Sequence, residues 1–288
     1  MKKLLLWVLL VCSMSIITGC IGNGRTVIYG EDDRKDYWQI EDPNVLANAK
    51  ATGSLWYSRQ IIDFGDGTSW LTTKTFGKAR NLHYNERFWS QPIGAHCTVF
   101  LVKPNVVVTA GHCVDSCSNI NNQNFLKRIV FGFKMEDKSN PTKIVENKNI
   151  YEVEKVLVRK IGGVDYAVIT LDRDVEGIKP VKLASKDVKK GDKVYLIGYP
   201  TGLPIKYAPN AKVLSVGSTS FKASVDAYGG NSGSPVFNLD NEVVGILVKG
   251  ATDFVKDGVR YRSNILQPRW YNGEGITKVS VWRKYINK

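Results

Sequence analysis

From Gly53 to the C-terminus the chain is built of short apolar runs broken by Gly, Pro, Asn and Asp. Val106–Ala110, Ile129–Phe133, Tyr151–Arg159, Tyr166–Leu171, Lys193–Gly198 and Val243–Val248 are of this kind, rich in Val, Ile, Tyr and Thr. Runs of this length with turn residues between them predict the strands of an all-β sandwich or barrel. No window of about 15 residues carries a helical stripe until the end, where Thr277–Ile286 predicts a short helix. There is no repeat of fixed period and no low-complexity linker, so residues 27–288 read as one unit. Asp66-Gly67, between two apolar runs, predicts a hairpin turn. The oxygen-rich stretch from Asp63 to Thr68 lacks the further acids and closing glutamate of a calcium loop.

The first residues follow a different pattern. Met1-Lys2-Lys3 is a positive start and Leu4 to Ile17 is mostly apolar. That combination predicts a secretory signal too short to span a membrane. Ile17-Thr18-Gly19-Cys20 resembles the lipobox of bacterial lipoproteins. The resemblance implies that residues 1–19 are removed, that Cys20 carries lipid and that 20–26 form a tether anchored by acyl chains. Ile21, in place of an aspartate, favours the outer membrane or cell surface, with later release left open.

Composition narrows the partners. Of 288 residues 43% are hydrophobic and 23% charged, which suits a globular core. The net charge of +13 is spread without a long Lys/Arg run, so it predicts a basic surface and no nucleic-acid site. Of the five cysteines, Cys12 leaves with the signal and Cys20 takes lipid. Cys97, Cys113 and Cys117 remain, enough for one disulfide in an exported protein, with three pairings open.

Three strings bear chemistry. In "DAYGGNSGSP" (226–235) glycines surround Ser232. A nucleophilic serine needs a base and donors for the developing oxyanion, and the N–H groups of Gly230 and Ser232 stand ready on one tight turn. His112 ends the run "VVVTAGHC". With an ordinary pKa of about 6.5, it can take a proton from a serine and return it. A zinc site beside Cys113 would want four suitably spaced ligands, and the pair Cys113 and Cys117 lacks a convincing second pair, for which His96 and Cys97 are the candidates. Asp165 opens the strand "DYAVITL". A carboxylate taken into a core must be paired, and the far nitrogen of a histidine is one partner.

Together "TAGHC", "DYAVITL" and "GGNSGSPVF", in the order His, Asp, Ser, resemble the trypsin/chymotrypsin-like serine endopeptidases. "NSGSPVFN" and "VIYGEDDRKD" (27–36) are more similar to the bacterial glutamyl endopeptidase branch. The resemblance implies two six-stranded antiparallel β-barrels with a short C-terminal helix. It implies His112, Asp165 and Ser232 as catalytic residues, Gly230 and Ser232 as oxyanion donors, and a Cys97–Cys113 disulfide. No cofactor or metal is implied, the partners are protein or peptide substrates, and a monomer is expected. "GILVKG" (245–250) resembles the strand lining the substrate cleft. Asn231 stands where trypsins hold an aspartate, so activation through that ion pair is not expected. Asp226 stands where trypsins place the pocket-floor aspartate, favouring cleavage after Arg or Lys. Ala227 and Leu247 stand where the glutamyl branch has its acid-recognising threonine and histidine. Lys249, beside Gly250 in the cleft strand, offers Asp226 an internal partner instead. A second reading of the whole is an idle binding lipoprotein on a protease scaffold.

Overall fold

The computed structural model describes residues 27–114, 127–250, 252–270 and 272–286. The signal, Cys20, the tether and Cys117 lie outside these residues. The first barrel consists of β1 (Thr52–Tyr57), β2 (Cys97–Lys103), β3 (Val106–Thr109), β4 (Lys127–Val130), β5 (Ile150–Lys160) and β6 (Tyr166–Leu171). They close in the order β4-β5-β6-β3-β2-β1, with β1 returning to β4. The second consists of β7 (Lys193–Gly198), β8 (Lys206–Val216), β9 (Ser220–Ala223), β10 (Pro235–Asn238), β11 (Glu242–Lys249) and β12 (Glu274–Lys278). Its order is β11-β10-β7-β8-β9-β12, closed by β12 on β11. The protein is therefore all-β, with two closed six-stranded antiparallel barrels. Closure removes sheet edges, and bulges in long strands such as β5 supply the bend it needs.

One apolar core runs through both barrels, from Trp56, Phe100 and Ile169 to Phe221, Val236 and Trp282. A smaller cluster holds Ile28, Phe76, Leu82, Leu203 and Tyr228. Ile28 reaches it because the N-terminal segment is built into the body: Ile28–Tyr29 pairs in parallel with Ile265–Leu266, and Lys35–Asp36 extends the edge of β8.

Three local outcomes bear on the sequence reading. A helix at Pro43–Lys50 has no counterpart in the predicted elements; its signal is Asp42-Pro43, where the Asp42 carboxylate accepts the Asn44 and Val45 N–H groups. The Asp66-Gly67 hairpin forms, joining Ile61–Asp63 to Thr68–Leu71. Its carboxylates serve the turn: Asp63 accepts the Gly65 N–H and Asp66 accepts from Thr68. The C-terminal helix is short, Val279–Trp282 with a 3-10 turn at Arg283–Tyr285, because Thr277 belongs to β12.

Candidate active site

The register of the first barrel brings His112 to Asp165. Thr109 at the end of β3 lies opposite Ala167 near the start of β6, so the residues after one and before the other meet at the same barrel rim. His112 sits in the 3-10 turn Gly111–Cys113. Its Nδ1 is 2.6 Å from Asp165 Oδ2, and its backbone N–H donates to Asp165 Oδ1 at 3.1 Å. Asp165 thus holds both the ring and the main chain of one residue. The turn must be glycine at 111, since a Cβ there would lie 2.0 Å from the Lys160 carbonyl oxygen. Arg159 Nε donates to the Gly111 carbonyl from the other side.

Cys97 and Cys113 form a disulfide with Cα atoms 6.1 Å apart, as the resemblance implies. It ties the start of β2 to the residue after His112. The two sulfurs and the His112 ring lie within 4.8 Å of one another, but the disulfide leaves no thiolate for a metal there.

Ser232 comes from the second barrel, on the turn between β9 and β10. The barrels meet at this turn: the Thr98 N–H donates to the Ser232 carbonyl at 2.9 Å, and a Cβ on Gly233 would lie 2.1 Å from the Thr98 carbonyl oxygen. Gly233 has φ +90°, so glycine answers both a close approach and a left-handed backbone.

The backbone groups of the turn are nearly all committed. Gly229 donates to Asp253 Oδ2 at 3.0 Å, and its carbonyl accepts from the Thr201 N–H. The Gly230 carbonyl accepts from the Thr98 hydroxyl at 2.9 Å. Asn231 donates to the Tyr228 carbonyl, and its own carbonyl accepts from Ser234. Gly233 donates to the Leu247 carbonyl. Of the N–H groups from Gly229 to Ser234, those of Gly230 and Ser232 are the two without a hydrogen-bond acceptor among the described residues. A peptide unit is planar, so anchoring the carbonyls of 229 and 231 also sets the direction of those two donors. The arrangement offers two oriented, unengaged donors beside a serine, which suits an oxyanion.

The residues expected to read the substrate fall elsewhere. Asp226 is buried, and its Oδ1 accepts the Tyr29 N–H at 2.7 Å. Burial pushes its carboxyl up to about 7; the Tyr29 N–H and Arg34 act against this, while Asp32 and Asp33 add to it. Asp226 therefore faces the N-terminal segment, and the reading of it as a free floor for a basic side chain gains nothing from this arrangement. Its alternative partner is also corrected. Lys249 is exposed at the end of β11, lies against Gly275, and makes no ion pair among the described residues. Ala227 is buried and donates to the Val27 carbonyl, while Leu247 is tied by both backbone groups to the nucleophile turn. Gly250 follows β11 directly.

Sequence reasoning missed Tyr29, Arg34, Thr98, Thr201 and Asp253. Arg34 is buried, forks onto Asp32 with bonds of 2.8 and 2.7 Å, and lies 4.1 Å from the centre of the Tyr228 ring. Through Tyr228 it braces the segment that leads into the turn. Tyr29 and Arg34 stand in "VIYGEDDRKD", a string that points to a family branch and not to a role, and Thr98, Thr201 and Asp253 stand in none of the three strings that bear chemistry. Next to the disulfide, His96 stacks on Tyr57 at 4.4 Å. Burial, with Lys127 nearby, pushes its imidazole down to about 3.

Comparisons with known proteins bear on the family and the fold. Exfoliative toxin A of Staphylococcus aureus is 38% identical over 108 residues, which are 33% of this chain and 38% of the toxin. A glutamyl endopeptidase of Staphylococcus epidermidis is 29% identical over 127 residues, 38% of this chain and 45% of that enzyme. The chain thus spans less than half the length of either relative. A solved structure of a Glu endopeptidase in complex with MPD superposes with a TM-score of 0.53 at 17% identity, over 91% of this chain and 98% of that one, which is a likeness of fold. The family model for the trypsin-like peptidase domain matches residues 97–246, more than half of the chain and the stretch that holds His112, Asp165 and Ser232; the chain belongs to the trypsin-like peptidases.

Proposed function

We propose that the protein is a serine endopeptidase in which Ser232 attacks the peptide carbonyl. His112 takes the serine proton and passes it to the leaving amine. Asp165 holds the ring so that its Nε2 faces the serine, and stabilises the imidazolium. The tetrahedral oxyanion receives hydrogen bonds from the Gly230 and Ser232 N–H groups. Water then hydrolyses the acyl-enzyme by the same proton route. The observation that carries this reading is the 2.6 Å contact between His112 Nδ1 and Asp165 Oδ2, which leaves the other ring nitrogen for a nucleophile. Replacing Ser232 by alanine should abolish hydrolysis of a peptide substrate and labelling by a fluorophosphonate. Undiminished hydrolysis would refute the assignment. An idle scaffold would leave even the wild-type serine unlabelled.

For the substrate, the basic preference suggested by Asp226 is not adopted, because that carboxyl already serves the Tyr29 N–H. A peptide library should return no enrichment of Arg or Lys before the cut. The protein is further read as exported and anchored through lipid on Cys20, with residues 1–19 removed, 20–26 as tether and 27–288 as the protease domain. The sequence pattern supports the signal, the anchor and the tether, and the likeness to Staphylococcus proteins supports export alone. Cys20→Ala should move the protein from the membrane fraction to the soluble one; unchanged membrane association would exclude the anchor.

A further inference from the structure

We infer that the hydroxyl of Thr98 is the positioning group of the oxyanion turn, an inference that rests on the proposed peptidase reading. Thr98 lies on β2 immediately after Cys97 and is fully buried where the barrels meet. Its hydroxyl makes two bonds to backbone: it donates to the Gly230 carbonyl at 2.9 Å and accepts the Tyr199 N–H at 3.1 Å. A hydroxyl has one proton and two lone pairs, so both roles are filled at once. The main chain of Thr98 adds a third tie, its N–H on the Ser232 carbonyl. The first barrel thereby grips both residues whose N–H groups would bind the oxyanion.

The grip matters because the turn is intrinsically loose. The peptide unit carrying the Gly230 N–H is flanked by Gly229 and Gly230, and without Cβ atoms little steric resistance opposes its rotation. Two anchors resist it instead. One holds that unit itself, the Thr201 N–H on the Gly229 carbonyl; the other holds the next unit, the Thr98 hydroxyl on the Gly230 carbonyl, and so limits rotation about the Gly230 backbone between them. These anchors are linked, because Tyr199 leads directly into the Pro200–Gly202 turn that presents Thr201. Thr201 itself holds a left-handed backbone with φ +50°, which places a demand on the residues that support it. Removing the hydroxyl takes the acceptor from the Tyr199 N–H and the donor from the Gly230 carbonyl together. The Gly230 N–H then samples directions other than that of the oxyanion, while the groups that bind substrate stay in place.

The test compares wild type with Thr98→Val, Thr98→Ala and Thr98→Ser in steady-state hydrolysis and in the rate of fluorophosphonate labelling, with Ser232→Ala as the blank. Thr98→Val keeps the shape and loses the hydroxyl. It should lower kcat and the labelling rate by about 10- to 100-fold, less than the 10²–10³ for deleting a donor outright, with KM within about twofold. Thr98→Ser restores the hydroxyl and should retain at least about a third of the wild-type rate. If Val unfolds, Ala against Ser makes the same comparison. Equal losses in the Ser and Val (or Ala) variants, or a fall confined to KM, would overturn the role of the hydroxyl. Failure of wild type to be labelled at all would overturn the peptidase reading, and this inference with it.

Discussion

Replacing Asp226 by asparagine should remove a pH dependence that the wild-type fold carries in one buried carboxyl. Asp226 is 5% exposed, and its Oδ1 accepts the Tyr29 N–H. Burial pushes its pKa up to about 7 from the ordinary 3.8. The one guanidinium that favours its ionised form, Arg34, is already engaged by both oxygens of Asp32. The sign follows from where the proton sits. Below about pH 4 the carboxyl is protonated in the folded and unfolded chains alike, and the full stability is present. Between about pH 4 and 7 the unfolded chain loses its proton while the folded protein keeps it. Stability therefore falls by about 1.4 kcal/mol per pH unit and levels off above about pH 7, some 4 kcal/mol lower. An amide oxygen still accepts the Tyr29 N–H but has no charge to desolvate. The difference in unfolding free energy, variant minus wild type, should therefore rise by up to about 4 kcal/mol between pH 4 and pH 8. Urea titrations followed by tryptophan fluorescence measure it, in a Ser232→Ala background that prevents self-cleavage. Other titrating groups cancel in the difference. A difference that stays flat with pH, or that falls as pH rises, would refute the reasoning, because Asp226 would then be ionised and net stabilised in the fold.

Replacing Cys97 and Cys113 together by serine should cost about 3 kcal/mol, the loop-closure value for a 16-residue separation, and should abolish the effect of reductant on stability; urea unfolding with and without dithiothreitol reads both. Gly233→Ala puts a Cβ 2.1 Å from the Thr98 carbonyl oxygen and 2.2 Å from Thr109 Oγ1 at a φ of +90°, so it should lower Tm and activity together, and an unchanged Tm would contradict the close approach. His96→Phe should flatten the acid limb of stability. Wild-type His96, pushed down to about 3, stays neutral while the unfolded chain takes up a proton below about pH 6.5, so the fold loses stability as pH falls and the phenylalanine variant is spared that loss; equal slopes between pH 6.5 and 4 would refute it. Asp165→Asn should lower kcat by roughly 10³- to 10⁴-fold with the fold intact, and a loss under tenfold in peptide hydrolysis would count against its orienting role.

The barrel strands are legible because a β-branched run of about six residues between turn residues has few other uses. β6 and β7 begin and end at the predicted residues, Tyr166–Leu171 and Lys193–Gly198. β4 is displaced from the predicted Ile129–Phe133 to Lys127–Val130, because the chain turns at Gly132 with φ +91°. Beyond that turn Phe133 packs edge-on to Trp56 at 5.0 Å instead of continuing the ladder. The helix Pro43–Lys50 escapes the apolar pattern because it is two turns long and buries only Val45, Asn48 and Ala49. Its cap is the clearer sign, and caps are easily passed over when they are not followed by a long stripe.

The same contrast of range separates the chemistry from the specificity. The string "GGNSGSP" marks a tight turn with backbone donors around Ser232, while Thr98 and Thr201 hold that turn in its direction. His112 and Asp165 are far apart in the chain, but one follows a strand run and the other opens one, and neighbouring antiparallel strands bring those two ends together. Asp226 has no such local determinant. Its partner is a backbone N–H 197 residues away on Tyr29, a group any residue but proline would offer, and its surroundings are set by Asp32, Asp33 and Arg34 from the same distant segment. The Thr98 hydroxyl meets the Gly230 carbonyl across 132 residues in the same way. An acidic side chain announces its charge in the sequence, but whether that charge faces a substrate or the protein's own main chain depends on which segment fills the cavity beside it. Here the segment that fills it is Val27–Asp36, and for this reason the charge at position 226 belongs to the fold's stability before it belongs to any substrate.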